Sequence, residues 1–198
     1  HLNGLMRADS GSIYFNGEDI YAKKFSMPFL RKHVGLVFQY PEYQLFADTV
    51  FEDVAFGLKN FFPDLTDEEV LFRVKNAIEL VGLNFYEIKD RSPFELSGGQ
   101  KRRVAIAGVM AMRPDVIVFD EPTAGLDPIG RQTIFKAIHD YKEKYNATVI
   151  IVSHSMEDVA AFADKILVMN GGMIERFDST VNVFSDSEKL KNIGLGAP

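Results

Sequence analysis

Short apolar runs alternate along the chain with longer segments in which apolar residues recur at helical spacing. The runs at residues 34–38, 116–120 and 148–152 are typical of strands that are buried on both faces. Residues 129–145 and 156–163 have the amphipathic pattern of helices. Because strands alternate with helices, the pattern indicates an α/β fold with a mainly parallel sheet.

The segment of residues 48–112 departs from this alternation, since its pattern is almost entirely helical. Thr66 and Glu69 fit a capping box at the start of one helix, and Ser97 is placed to begin another that runs to residue 112. We therefore expect a helical subdomain inserted between two strands of the sheet. A strand that enters a tight turn at residues 16–17 and a hairpin around residues 170–172 are predicted as well.

Composition narrows the class of protein. Hydrophobic residues make up 46% and charged residues 25% of the chain, which is usual for a globular protein with a core. The formal net charge is −6, whereas proteins that bind nucleic acid are usually basic. There is no cysteine, so disulfides and thiolate metal sites are excluded. The longest apolar stretch, residues 104–112, is far shorter than the stretch of about 20 residues that spans a membrane as a helix.

Two carboxylates follow the apolar run that begins at Val116. Asp120 and Glu121 would lie at the carboxyl edge of a buried strand, where α/β sheets bind their ligands. Asp120 is placed to hold Mg²⁺, and Glu121 is placed to polarise an attacking water. A core strand that ends in two acids is an equally good interpretation of this motif alone. Gln39 follows another buried strand, where it is either a ligand of the metal or water or an ordinary polar residue.

A glycine-rich segment, Leu96-Ser97-Gly98-Gly99-Gln100, precedes the predicted third helix of the helical segment. Its serine is a good N-cap, and its glycines let a phosphate approach the free N–H groups of the helix start. The alternative is a flexible helix start without a ligand. The basic residues that follow, at positions 101–103, are interpreted as a solvated face of the helix.

Two further polar residues follow predicted strands. His154 comes after the strand of residues 148–152 and could donate a hydrogen bond to a γ-phosphate, although a lone histidine is more often structural. Asp127 precedes Pro128, and a role as an N-cap alone would be enough to explain its presence. The phosphate-binding pattern G-x-x-x-x-G-K-[ST] does not occur, and none of the 15 glycines is followed by lysine.

Taken in order, five elements resemble the ATP-binding subunits of ABC transporters. They are Gln39, the Leu-Ser-Gly-Gly-Gln segment at 96–100, the strand and carboxylates at 116–121, Gly-Leu-Asp-Pro at 125–128, and His154. Within that family, residues 38–46 and 49–57 are similar to the ATPases of energy-coupling factor (ECF) transporters, which import vitamins and cobalt or nickel ions. The segment from Val183 to Leu195 is similar to the start of that group's C-terminal region.

The resemblance implies a fold and a set of roles. The fold would be the three-layer, P-loop NTPase-like ABC ATPase fold, with residues 1–47 and 113–180 in the core, 48–112 as the helical signature subdomain and 181–198 as the start of a C-terminal extension. The catalytic residues would be Glu121 (Walker B), His154 (the switch histidine) and Gln39 (the Q-loop). Asp120 and Gln39 would bind Mg²⁺. ATP would be bound by Ser97, Gly98, Gly99 and Gln100 of the signature and by Asp127 of the D-loop.

The resemblance also implies partners and a location. Two ATPase subunits, identical or different, would enclose ATP head to tail, and the helical subdomain would receive an integral membrane subunit at the cytoplasmic face of the membrane. No nucleic-acid partner is expected. In relatives the first strands and the phosphate loop precede the segment that matches residues 1–5. We therefore expect these 198 residues to be a piece of an ATPase that by itself binds ATP weakly or not at all.

Two other functions share most of these motifs. One is a soluble ABC-type ATPase that acts on ribosomes or DNA, which the acidic charge and residues 40–46 disfavour. The other is a non-catalytic subunit that lends its signature to a partner's site, which Glu121 disfavours. Co-purification with a membrane protein, as opposed to co-sedimentation with nucleic acid, distinguishes the transporter from the first alternative.

Overall fold

The computed structural model describes residues 1–185, 190 and 194–195. Most of the predicted C-terminal extension after Ser185 therefore lies outside the described residues. The chain divides into two compact units, His1–Ile151 and Val152–Pro198, which are described separately below.

The first unit carries most of the secondary structure. In chain order it contains β1 (Tyr14–Phe15), β2 (Glu18–Asp19), α1 (Met27–His33), β3 (Val34–Val37), α2 (Val50–Phe61), α3 (Asp67–Leu80), α4 (Phe85–Ile88), α5 (Gly98–Ala111), β4 (Val116–Asp120), α6 (Pro128–Tyr145) and β5 (Thr148–Val152), which ends one residue into the second unit. Short 3-10 turns lie at Pro41–Gln44 and Pro93–Glu95. The predicted turn at Asn16-Gly17 joins β1 to β2, and both of its residues have positive φ.

A three-stranded sheet forms the centre of this unit, with β4 between β3 and β5. β3 and β4 are parallel, in a register that pairs Val34 with Val116 and Val37 with Phe119. Ile117 and Phe119 are fully buried, as expected for a strand covered on both faces. Helix α6 contacts the segment just before β4 through Tyr141, whose hydroxyl donates a 2.9 Å hydrogen bond to the carbonyl of Pro114. The predicted α/β fold with parallel strands is confirmed.

The segment of residues 48–112 is fully described and contains helices and 3-10 turns but no strand. Its helices share one cluster of buried side chains, which includes Val54, Leu58, Val74, Ile78, Val104 and Ile106. The predicted capping box is present, because the Glu69 N–H donates to Thr66 Oγ1 (3.2 Å) and the Thr66 N–H donates to Glu69 Oε2 (2.9 Å). A helical block therefore follows β3 and precedes β4.

The second unit begins with the last residue of β5. It contains α7 (Met156–Phe162), β6 (Lys165–Asn170), β7 (Met173–Ser179) and α8 (Thr180–Phe184). β6 and β7 form the predicted hairpin, which turns at Gly171 and Gly172 with positive φ at both. Among the described residues of the chain, no helix is long and apolar enough to cross a membrane.

Candidate functional site

Three of the predicted site residues lie at one edge of the sheet. Asp120 ends β4, Glu121 follows it, and Gln39 lies two residues beyond the end of β3. Because Val37 pairs with Phe119 in parallel register, Gln39 and Glu121 both lie two residues past the last pair of neighbouring strands. Asp120 and Glu121 are half-buried, whereas Gln39 is exposed. The structure thus brings Gln39 and the two carboxylates to the same sheet edge.

The backbone at this edge is unusual in two places. Glu121 has a φ of 47° and Tyr40, next to Gln39, has a φ of 56°. Left-handed backbone is uncommon for residues other than glycine, and it concentrates at functional sites where the surroundings hold it in place. At Glu121 the turn is closed by the Ala124 N–H, which donates to the Glu121 carbonyl over 3.2 Å. Nothing in the local sequence signals either conformation.

The donor chemistry at this edge fits Mg²⁺. Asp120 offers a carboxylate and Gln39 an amide oxygen, and Mg²⁺ in nucleotide sites takes one or two such protein ligands together with phosphate oxygens and water. Within the described part of the chain no three His, Asp or Glu side chains gather into a metal-binding cluster. A metal held here would therefore rely on phosphate oxygens for much of its coordination.

The glycine-rich segment forms the start of α5. Ser97 is the N-cap and makes a capping box with Gln100, since the Gln100 N–H donates to Ser97 Oγ (3.3 Å) and the Ser97 N–H donates to Gln100 Oε1 (3.0 Å). Gly98 and Gly99 occupy the first turn, and in the part of the chain that is described their N–H groups have no protein acceptor. A Cβ added at either glycine would meet nothing within 4 Å. The segment therefore presents an open helix N-terminus suited to an anion.

The interpretation of residues 101–103 as a solvated face is wrong for Arg102. This residue is only 3% exposed, because it lies on the same inward face of α5 as the buried Ile106, one turn further along. Its guanidinium makes a bidentate ion pair with Glu42 (Nε to Oε2 3.0 Å, Nη2 to Oε1 2.9 Å) and donates to the Ala124 carbonyl (2.5 Å). Arg103 is half-buried and donates to the carbonyl of Gly82 over 3.0 Å, and burial lowers its pKa.

Asp127 is the N-cap of α6. Its Oδ1 accepts a 2.6 Å hydrogen bond from the Gly130 N–H, and Pro128 occupies the first helical position. The predicted capping role is confirmed, and the proposed D-loop role stays a prediction. In the second unit, His154 is exposed in the short loop between β5 and α7. That loop is held by the Ser155 N–H, which donates to Ser153 Oγ (3.1 Å), while Ser155 caps α7. The role of His154 toward a phosphate also stays a prediction.

Known proteins resemble this chain along its whole length. The family model described as ABC transporter matches residues 1–124. The ECF transporter ATP-binding protein EcfA2 of Caldanaerobacter subterraneus is 56% identical over 197 residues, which are 100% of this chain and 68% of that protein. EcfA2 of Bacillus subtilis is 48% identical over 200 residues, which cover 100% of this chain and 71% of that protein.

Solved structures agree in fold. CbiO1 of Clostridium perfringens, described as part of the ABC transporter complex CbiONQ, superposes with a TM-score of 0.82 at 37% identity and covers 97% of this chain and 75% of its own. A dimeric ATP-binding cassette in a post-hydrolysis state with ADP and Pi superposes with a TM-score of 0.75 at 27% identity, covering 90% of this chain and 77% of its own. The chain belongs to the ATPases of the ABC transporter family, which couple ATP hydrolysis to transport, and its relatives include the ATP-binding proteins of ECF transporters.

Proposed function

We propose that this chain is the ATP-hydrolysing subunit of an ECF-type importer for metal ions or vitamins. The observation that carries the proposal is that Gln39, Asp120 and Glu121 lie at one edge of the sheet, at the ends of the neighbouring strands β3 and β4. The named relatives support the ECF group, and the neighbour described as part of the ABC transporter complex CbiONQ supports a role in a transporter complex. Similarity of residues 38–46 and 49–57 to ECF ATPases adds to this support.

Each predicted residue has a distinct part in the proposed reaction. Asp120 and Gln39 would hold Mg²⁺, which when bound neutralises charge on the ATP phosphates. Glu121 lies one residue beyond Asp120, so its carboxylate can accept a hydrogen bond from water and orient it. His154 would donate a hydrogen bond to the γ-phosphate. Its place after β5 is a strand end, like the places of Gln39 and Glu121.

The signature would serve a second ATPase subunit. The open N–H groups of Gly98 and Gly99 point to no acceptor in the described part of this chain, so an anion bound by the facing subunit fits them. Ser97 and Gln100 hold that helix start in shape through their capping box. Asp127 would lie at the same interface while it caps α6.

An exposed aromatic surface formed by Phe46 and Phe56 suits the membrane subunit. Phe46 and Phe56 pack edge to face with ring centroids 4.8 Å apart, yet they are 58% and 51% exposed. Asp53 fixes the loop beneath them, since its Oδ2 accepts from the N–H groups of Phe46 and Ala47, both over 2.9 Å. A polar-rimmed aromatic surface of this kind is typical of a protein interface. Docking of an integral membrane subunit there would place this chain at the cytoplasmic face of the membrane.

The substitution Glu121→Gln tests the proposed function in the purified transporter complex. General-base catalysis contributes about 10²- to 10⁴-fold, so we expect turnover to fall by about that factor while ATP stays bound. Glu143→Gln is the matched control, because Glu143 is an exposed glutamate on α6. Wild-type hydrolysis by the Glu121 variant would remove that residue from its role. Co-purification with ribosomes or DNA in place of a membrane protein would overturn the importer.

A further inference from the structure

A buried arginine joins three segments that carry the predicted chemistry. The guanidinium of Arg102 pairs with Glu42 through two hydrogen bonds of 3.0 and 2.9 Å and donates a third, of 2.5 Å, to the carbonyl of Ala124. It also lies over the ring of Tyr40, 5.5 Å from the centroid. The side chains of Arg102 and Glu42 are only 4% and 16% exposed, so the pair is shielded from water.

Each contact lies next to a predicted site residue. Glu42 is three residues after Gln39, in the 3-10 turn Pro41–Gln44. Ala124 is three residues after Glu121, and its own N–H closes the left-handed turn at that residue. Arg102 itself follows Gln100 of the signature by two residues on the same helix. A single side chain therefore connects the Q-loop, the Walker B turn and the signature helix.

Stability alone does not account for this pair. Burying two charges costs much of what their attraction returns, and apolar side chains of similar volume commonly stabilise a site as well or better. An arginine fork with a bidentate carboxylate does, however, fix distance and direction on both sides of the contact. The pair is thus suited to holding segments in register.

We propose that Arg102 is a positioning residue for ATP hydrolysis, which holds the Glu42 turn and the Ala124 turn against the start of α5. The proposal rests on the function proposed above. Arg102 does not act on ATP directly, because its guanidinium is committed to Glu42 and Ala124 inside the fold.

Substitutions at both partners separate positioning from stability in the purified transporter complex. Arg102→Met should lower kcat by about 10- to 100-fold with the KM for ATP changed less than about twofold, since small misplacements of catalytic groups cost this much. Glu42→Leu combined with Arg102→Met replaces the ion pair with an apolar pair, which should recover the thermal midpoint. Its kcat should nevertheless stay low. The kcat of Arg102→Lys should lie between those of Arg102→Met and the wild type, because lysine keeps the positive charge but cannot make the bidentate contact with Glu42.

The control is Lys136→Met, which removes an exposed ion pair with Asp140 on α6 and should leave kcat unchanged. A kcat that recovers together with the midpoint in the double variant would show that the pair only stabilises the fold. Wild-type kcat in Arg102→Met would refute the proposal directly. If Arg102→Met does not fold, the double and lysine variants decide. A complex in which the wild type hydrolyses no ATP refutes the proposed function instead.

Discussion

Substitution of Gly98 or Gly99 by alanine tests whether these glycines are required for folding or for binding a ligand. Both glycines lie in the first turn of α5, neither has a positive φ, and an added Cβ at either would meet nothing within 4 Å. Within the part of the chain that the structure describes, the fold therefore does not require glycine at these positions. The remaining reason for glycine is close approach of a ligand to the backbone.

The magnitude follows from helix propensity. Alanine is favoured over glycine by about 1 kcal/mol in a helix interior, and less in the first turn, so Gly98→Ala and Gly99→Ala should leave the free energy of unfolding unchanged or raise it by up to that amount. Gly35→Ala in β3 is the contrasting variant. Its Cβ would lie 2.7 Å from Val109 Cγ1 and 2.9 Å from Pro114 Cγ. Overpacking of this kind should cost about 1–3 kcal/mol.

Urea unfolding and ATP hydrolysis in the complex are the two assays. A methyl group at Gly98 or Gly99 would separate the helix start from a bound phosphate, and loss of one such donor costs about 10²- to 10³-fold in kcat. We expect stability to be kept and activity to be lost. Wild-type activity in both variants would show that the segment is only a flexible helix start. A loss of stability comparable to that of Gly35→Ala would instead show that the open space around the glycines is misjudged.

Two further substitutions test the fold. Tyr141→Phe should lower the free energy of unfolding by about 1–3 kcal/mol, because it leaves the buried carbonyl of Pro114 without its donor. The control is Tyr43→Phe, at a residue that is 85% exposed. Equal urea midpoints for the two variants would contradict the reasoning. The pKa of Glu69 is lowered from 4.5 by hydrogen bonds from the backbone and side chain of Thr66. The ionised Glu69 carboxylate therefore contributes to the stability of the fold above pH 4.5, and this contribution is lost as the pH falls through the lower folded-state pKa. Glu69→Gln should flatten the acid loss of stability relative to Glu68→Gln, and parallel acid profiles would count against the capping box.

The secondary structure could be predicted from sequence because its signals are local. The strands at Val116–Asp120 and Thr148–Val152 have the predicted bounds, since short apolar runs with polar ends leave few alternatives. The helix starts at Ser97 and Asp127 follow from capping chemistry within three residues. These same signals place Gln39, Asp120 and Glu121 at strand ends, so that part of the site follows from the pattern.

The burial of Arg102 could not be predicted in this way. Within its own stretch it is one of three consecutive basic residues, a pattern that is usually solvated. Its partner, Glu42, lies 60 positions earlier, and no periodicity connects the two. The left-handed backbone of Glu121 could not be predicted from the sequence for a related reason. Glutamate has no local preference for that conformation, and the surrounding structure imposes it.

The path of the chain bears on our proposal that one short stretch of sequence serves two nucleotides. Helix α5 has 14 residues and is about 21 Å long, and β4 then runs back for five residues, about 16 Å. Because β4 runs back along the helix, the carbonyl of Ala124 lies within hydrogen-bonding distance of Arg102. This contact holds the Glu121 turn against the early part of the signature helix. The N–H groups of Gly98 and Gly99 lie at the open tip of that helix and meet no acceptor within the described chain. Arg102, two residues beyond Gln100, contacts the Glu121 turn of this same subunit, whereas the N–H groups of the two glycines are open, and we therefore propose that they serve the nucleotide of a second ATPase.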